Sequence, residues 1–182
     1  MKNTAMQTRL GDEVRAFIDS RRSLQLASLG EDGVPFASYA PFARDDDSLY
    51  VILSDIAVHG RNLQREARAS VLVIEDEDTA GELYARIRVS YQVKAEELEV
   101  GSEDWERGVA LLEERLGERP RNLSKLADFR LFRLCPQSGR YVKGFGKAYT
   151  LEGGTLATTT INHLREGHKR RDDADDDREQ AA

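Results

Sequence analysis

The chain has 182 residues, enough to bury one ordinary core and too few for two, so a single domain with extensions is expected. Charged residues make up 33% and the formal net charge is -6, which argues against a broad nucleic-acid surface, since phosphate contacts need a basic face. No run approaches the roughly 20 apolar residues of a spanning helix, and the N-terminal segment lacks a signal peptide's apolar region, so a cytoplasmic protein without membrane or nucleic-acid partners is expected.

In chain order, Met6, Leu10, Val14, Phe17 and Ile18 recur at helical spacing and predict an amphipathic helix over residues 5–21. "SLQLASLG" alternates like a strand, "GEDG" at 30–33 signals a tight turn, and "VPFASYAPFAR" completes a hairpin. "SLYVILS" at 48–54 is nearly continuous in apolar residues, as a strand buried on both faces is. Ser54 or Asp55 is expected to cap a short helix, "IAVHGRNLQREA", which Gly60 interrupts. "ASVLVIED" at 69–76 is a strand, and so is "LYARIRVSYQVKAEEL" at 83–98, which puts Val89, Tyr91 and Val93 on one face and Arg86, Arg88 and Ser90 on the other.

Ser102 then caps a helix whose buried stripe is Trp105, Val109, Leu112 and Leu116, and Gly117 ends it. A short helix with Pro120 in its first turn is expected around 120–127. "FRLFRLCP" and "GRYVKGFGKAYTL" are read as two strands joined by a turn at "PQSG". Six to seven strands with helices between some of them define an α+β chain, with an antiparallel barrel favoured because closure removes exposed edges.

H-E-x-x-H, paired C-x-x-C and G-x-S-x-G are all lacking, which leaves a cofactor to carry any chemistry. The lone Cys135 excludes an internal disulfide and is read as a small buried apolar residue. His59 is read as a surface or capping side chain. His163 and His168 are five residues apart, a spacing that does not share a helix face and disfavours a two-histidine metal site.

"LASLGEDGVPFASYAPF", "SDIAVHGRNL", "ADFRLFRL" and "GRYVKGFGKAY", in that order, resemble the haem-utilisation proteins of the HugZ/HutZ type. These belong to the flavin-binding split barrels that include pyridoxamine 5'-phosphate oxidase. The resemblance implies a helix over 1–22, an antiparallel split β-barrel over 23–152, a ligand arm over 153–171 and a disordered acidic tail over 172–182. It further implies a homodimer that binds haem near the subunit interface. Such a dimer opens the porphyrin as a haem oxygenase, with O2 and electrons from an unidentified donor.

By the same resemblance, His168 in "GHKRR" ligates the haem iron, Asp128 hydrogen-bonds that ligand from the second subunit, and Arg88 helps hold the haem. A neutral imidazole on iron needs an acceptor for its other nitrogen, which a carboxylate provides. Propionates need cations, for which Arg88 offers a planar fork and Lys143 and Lys147 point charges. Gly144 and Gly146 let backbone approach a flat ligand, with Phe145 packing on its face.

Local readings stand beside these. Arg88 covers a solvated strand face, Asp128 caps a helix or pairs with Arg130, and the two glycines mark a bulge. Two other functions also fit: an FMN-dependent oxidoreductase with the phosphate on Arg61 and Arg65, and a non-catalytic haem carrier or storage protein.

Overall fold

The structure is a computed structural model that describes residues 4–157 and 160–164. Helix α1 (Thr4–Asp19) turns Leu10, Val14 and Ile18 into the core, as their spacing requires. Strands β1 (Ser23–Leu29) and β2 (Pro35–Pro41) form the expected antiparallel hairpin, with Gly33 at φ 79° in its turn. Beyond Phe42, the two-residue β3 (Ala43–Arg44) pairs with β4 (Leu49–Ser54) instead. There follow α2 (Val58–Arg65), β5 (Arg68–Ile74), β6 (Arg88–Glu97), α3 (Glu103–Leu116) and α4 (Arg119–Leu123). The described chain ends with β7 (Phe129–Val142), β8 (Ala148–Glu152) and β9 (Thr160–His163).

Seven of the strands lie in the order β2-β1-β5-β6-β7-β4-β3, all antiparallel. β2 and β3 are the two ends of that order, yet only Phe42 separates them in sequence. The sheet must therefore curl until its edges nearly meet, which makes the half-barrel. Phe42 sits fully buried at the crossing. The stretch read as one strand is thus two, on opposite edges.

β7 joins the two parts of the sheet. Its first half pairs with β4 through Leu134, its second half with β8 from Ser138, and its other edge follows β6 throughout. "PQSG" is therefore not a turn. Val93 faces Pro136 and Gln92 faces Ser138, so Gln137 is the extra residue of a bulge, where proline's missing N–H costs no ladder bond. Gly139 is required by close approach, because a Cβ there would stand 2.7 Å from the Tyr91 ring.

The strand predicted from residue 83 begins only at Arg88. Leu83–Ala85 form a 3-10 turn, and the Arg86 guanidinium donates to the Glu75 carbonyl, tying the segment to the end of β5. The expected caps of α3 hold: the Ser102 hydroxyl accepts from Trp105 N–H at 3.2 Å, and Gly117 follows Leu116 at φ 82°. Trp105, Val109 and Leu112 pack with Tyr50 and Leu131 in a small core beneath α3, while the main core fills the half-barrel under α1.

Candidate functional site

Directly opposed residues of neighbouring strands share a face of the sheet. The register sets Arg88 opposite Val142, Ser90 opposite Arg140, and Val142 opposite Ala148, so one outer face carries all of them. Val89, Tyr91 and Tyr141 alternate to the other side and are buried. Over the outer face lies a groove of about 510 Å³, within the common range of ligand pockets of about 300–1,000 Å³. Tyr84 and Ala85 form one wall, Arg88, Arg140 and Val142 the floor, and Gly144, Phe145, Gly146 and Leu164 the remainder. Tyr84 is 90% exposed and Phe145 67%. Four of the six predicted cofactor-binding residues are thereby brought together: Arg88, Gly144, Phe145 and Gly146.

The groove holds two guanidiniums without carboxylate partners among the described residues. Many others in this acidic chain close onto carboxylates, as Arg44 does on Asp19, Arg121 on Glu113 and Arg133 on Glu96, while Arg61 and Arg65 donate to carbonyls instead. Arg88 donates Nη1 to the Arg86 carbonyl at 2.9 Å and makes no ion pair among the described residues. Neither does Arg140. A second cleft, of about 460 Å³ between α1, β3 and α3, also contains arginines. Its Arg44 is held by both Asp19 oxygens, however, and its Arg115 donates to the carbonyls of Ile18, Asp19 and Arg21, so its cations are already compensated.

The two predicted lysines go elsewhere. Lys143 pairs with Glu13 of α1 at 2.8 Å, where Glu13 also accepts from the Tyr141 hydroxyl at 3.0 Å. Burial and this carboxylate both raise the Tyr141 phenol above its ordinary range. Lys147 is exposed and does not line the groove. Both lysines flank the β7–β8 turn, closed by Lys143 N–H to the Lys147 carbonyl at 3.0 Å and Lys147 N–H to the Gly144 carbonyl at 3.1 Å. Gly144 at φ 148° and Gly146 at φ 69° are glycines because that turn demands it.

Part of the expected ligand arm is strand. β9 pairs with β8, His163 stands opposite Tyr149 with ring centroids 5.1 Å apart, and Leu164 N–H donates to the Ala148 carbonyl at 2.9 Å. The Nε2 of His163 lies 3.2 Å from the Gly146 carbonyl, which can only accept, so this bond needs the proton on Nε2. The β-branched run "TTTI" ahead of it was the available strand signal. His168 and the acidic tail over 172–182 lie outside the described residues.

Asp128 sits at the opposite end of β7 from the groove. Its Oδ2 accepts from the Ser54 hydroxyl at 2.9 Å, and its carbonyl accepts from Asp55 N–H at 2.7 Å. It does not pair with Arg130. That guanidinium binds Asp55 at 3.0 Å and Glu97 at 3.3 Å, and its hydrogen bond holds the Asp55 carboxyl below the usual range. With Ser54 and Asp55 so engaged, α2 starts after Ala57 without a side-chain cap. His59, in its first turn, is partly buried, and burial holds its imidazole below the ordinary value. Arg61 donates to the Ile56 carbonyl at 2.8 Å and Arg65 to the Leu29 carbonyl at 2.6 Å. At about 3.3 Å per residue a strand of this length spans about 45 Å, so Asp128 and Arg88 do not meet within one chain.

Fold and groove together define a split barrel with a cationic groove on the outside of its sheet. Residues 10–143 match the family model described as pyridoxamine 5'-phosphate oxidase. The heme oxygenase HutZ of Vibrio cholerae is 42% identical over 170 residues, covering 93% of this chain and 96% of that protein. A crystal structure of HutZ, there called a heme storage protein, superposes with a TM-score of 0.69 at 43% identity, over 74% of this chain and 95% of that one. ChuZ of Campylobacter jejuni superposes with a TM-score of 0.73 at 31% identity, over 90% of this chain and 68% of that one. The chain belongs to the pyridoxamine 5'-phosphate oxidase family of split barrels, in the branch that contains HutZ. No described helix is long and apolar enough to cross a membrane.

Proposed function

We propose that the chain binds haem in the groove over β6, β7 and β8 and degrades it with O2 and external electrons, releasing iron. The observation that carries this reading is the pair of guanidiniums, Arg88 and Arg140, facing a groove walled by Tyr84 and Phe145. A flat ligand with anionic edges satisfies both features at once. Haem supplies redox-active iron when bound and is also the substrate. The chain's own residues orient it. Arg88 holds a propionate, the Gly144–Gly146 turn brings backbone and Phe145 against the ring, and His168, four residues beyond Leu164, provides a neutral imidazole to iron.

Asp128 accepts a hydrogen bond from the N–H of that imidazole's second nitrogen. Since Asp128 and the groove occupy opposite ends of β7, it serves the groove of a second subunit in a homodimer. Edge strand β2, with Phe36 39% and Tyr39 68% exposed, offers apolar surface for such a dimer. The alternative phosphate site has less support, because neither Arg61 nor Arg65 lines the groove that Tyr84 and Phe145 border.

Purified protein mixed separately with haemin and FMN is expected to develop a Soret band and to release FMN on gel filtration. FMN retained without a Soret band overturns the reading in favour of a flavin enzyme. Ascorbate under air is expected to bleach the band and yield a bilin. A stable spectrum with no bilin identifies a carrier instead.

Asp128→Asn keeps an acceptor for Ser54 and is expected to fold normally, with haem affinity or degradation rate about 10- to 100-fold lower. Parent-like values for both quantities reject the role given to Asp128.

A further inference from the structure

Strand alternation fixes where Arg140 points. Its neighbours Gly139 and Tyr141 both belong to the inner face, the glycine against the Tyr91 ring and the tyrosine buried at 2% exposure and bonded to Glu13. Arg140 is thereby held on the outer face, where its cross-strand neighbours are Ser90 and Thr150, neither of them charged. Arg88 lies on the diagonal across β6 and β7, a position roughly 7–8 Å away between backbones.

Like charges this close cost stability. Carboxylates are plentiful in a chain of net charge -6, yet none among the described residues closes on either guanidinium. Two planar forks, set side by side on neighbouring strands and uncompensated, suit a ligand with two carboxylates on one edge. A single terminal phosphate offers one anionic centre on which both forks would have to converge, whereas two carboxylates give each fork its own partner.

We propose that Arg140 is a second carboxylate-binding residue of the groove, and that Arg88 and Arg140 together select a planar dicarboxylate. This rests on the haem reading and assigns its specificity: Arg88 takes one propionate and Arg140 the other. Arg140 positions the ligand and does no chemistry on it.

The test is an absorbance titration of the full chain with haemin and with haemin dimethyl ester, the same ring with both carboxylates capped. The parent is expected to bind haemin more tightly than the ester. Arg140→Gln is expected to raise the dissociation constant for haemin about tenfold, the loss of one charge-assisted hydrogen bond, and to leave that for the ester within about twofold. Arg140→Lys restores part of the haemin affinity, and the double change with Arg88→Gln removes the preference between the two porphyrins. Arg140 is exposed, and a thermal midpoint at or above that of the parent verifies folding, since the change removes one of two like charges.

An unchanged haemin constant in Arg140→Gln, with a binding parent, overturns the assignment alone. An equal loss toward both porphyrins also overturns it, because it reports groove shape rather than carboxylate recognition. A parent that binds neither porphyrin overturns the haem reading itself, and the Arg140 assignment with it.

Discussion

Replacing His168 with alanine is expected to abolish or rearrange the ferric haem spectrum of the purified protein, and added imidazole is expected to restore it. The expectation rests on the resemblance to the haem-utilisation proteins, and the placement of the described histidines is compatible with it. His59 is in the first turn of α2, partly buried near the Asp128 end of the barrel. His163 is close to the groove, but its Nε2 is bonded to the Gly146 carbonyl and its ring packs on Tyr149, so it supports the β8–β9 pairing and the turn. His163→Ala is therefore expected to keep the haem spectrum. The two variants are to be read together: a parent-like spectrum in His168→Ala with loss in His163→Ala transfers the ligand role to His163 and rejects His168.

The second large effect concerns stability. Gly60→Ala is expected to lower the free energy of unfolding by about 3 kcal/mol, at the upper end of overpacking costs. A helix-propensity argument gives the opposite sign, because glycine inside a helix costs about 1 kcal/mol relative to alanine. Packing decides between them. A Cβ on Gly60 would fall inside contact distance of the Ser54 carbonyl oxygen and 3.0 Å from its carbon. Ser54 cannot move away freely, since it is the last residue of β4, paired with Phe129 of β7, and its hydroxyl holds Asp128. Urea denaturation measures the effect. A Gly60→Ala protein as stable as the parent, or more so, rejects this account.

Gly60 also illustrates what can be read from local signals. It was legible as a helix weakness, and its reason, a backbone from another element lying against it, was not. "PQSG" behaved the same way: its proline and glycine are genuine irregularities, but they serve a bulge and a ring contact inside one 14-residue strand. "VPFASYAPFAR" carries no marker at Phe42 to tell one strand from two, because leaving one sheet edge for the other is a property of the whole curl.

The site divides along a similar line. Arg88 and the Gly144–Gly146 turn were singled out through the motifs that resemble the haem-utilisation proteins, and the structure places them around one groove. Lys143 pairs with Glu13, a carboxylate 130 residues away in sequence that no local motif reveals. Arg140 and Tyr84, which line the same groove, were not singled out, since placing "GRYV" after a turn broke the register that sets Arg140 beside Arg88.

By itself the sequence determined the helices with the caps of α3, the alternation of β1 and β6, the first hairpin and the family to which the chain belongs. These depend on periodicity, on side-chain caps within a few residues, and on turn residues that act locally. The tertiary structure alone decided which edge each strand joins, which glycines are crowded by other elements, and which cations find carboxylates. Those outcomes depend on distances between residues far apart in the chain, and such distances exist only once the sheet has curled.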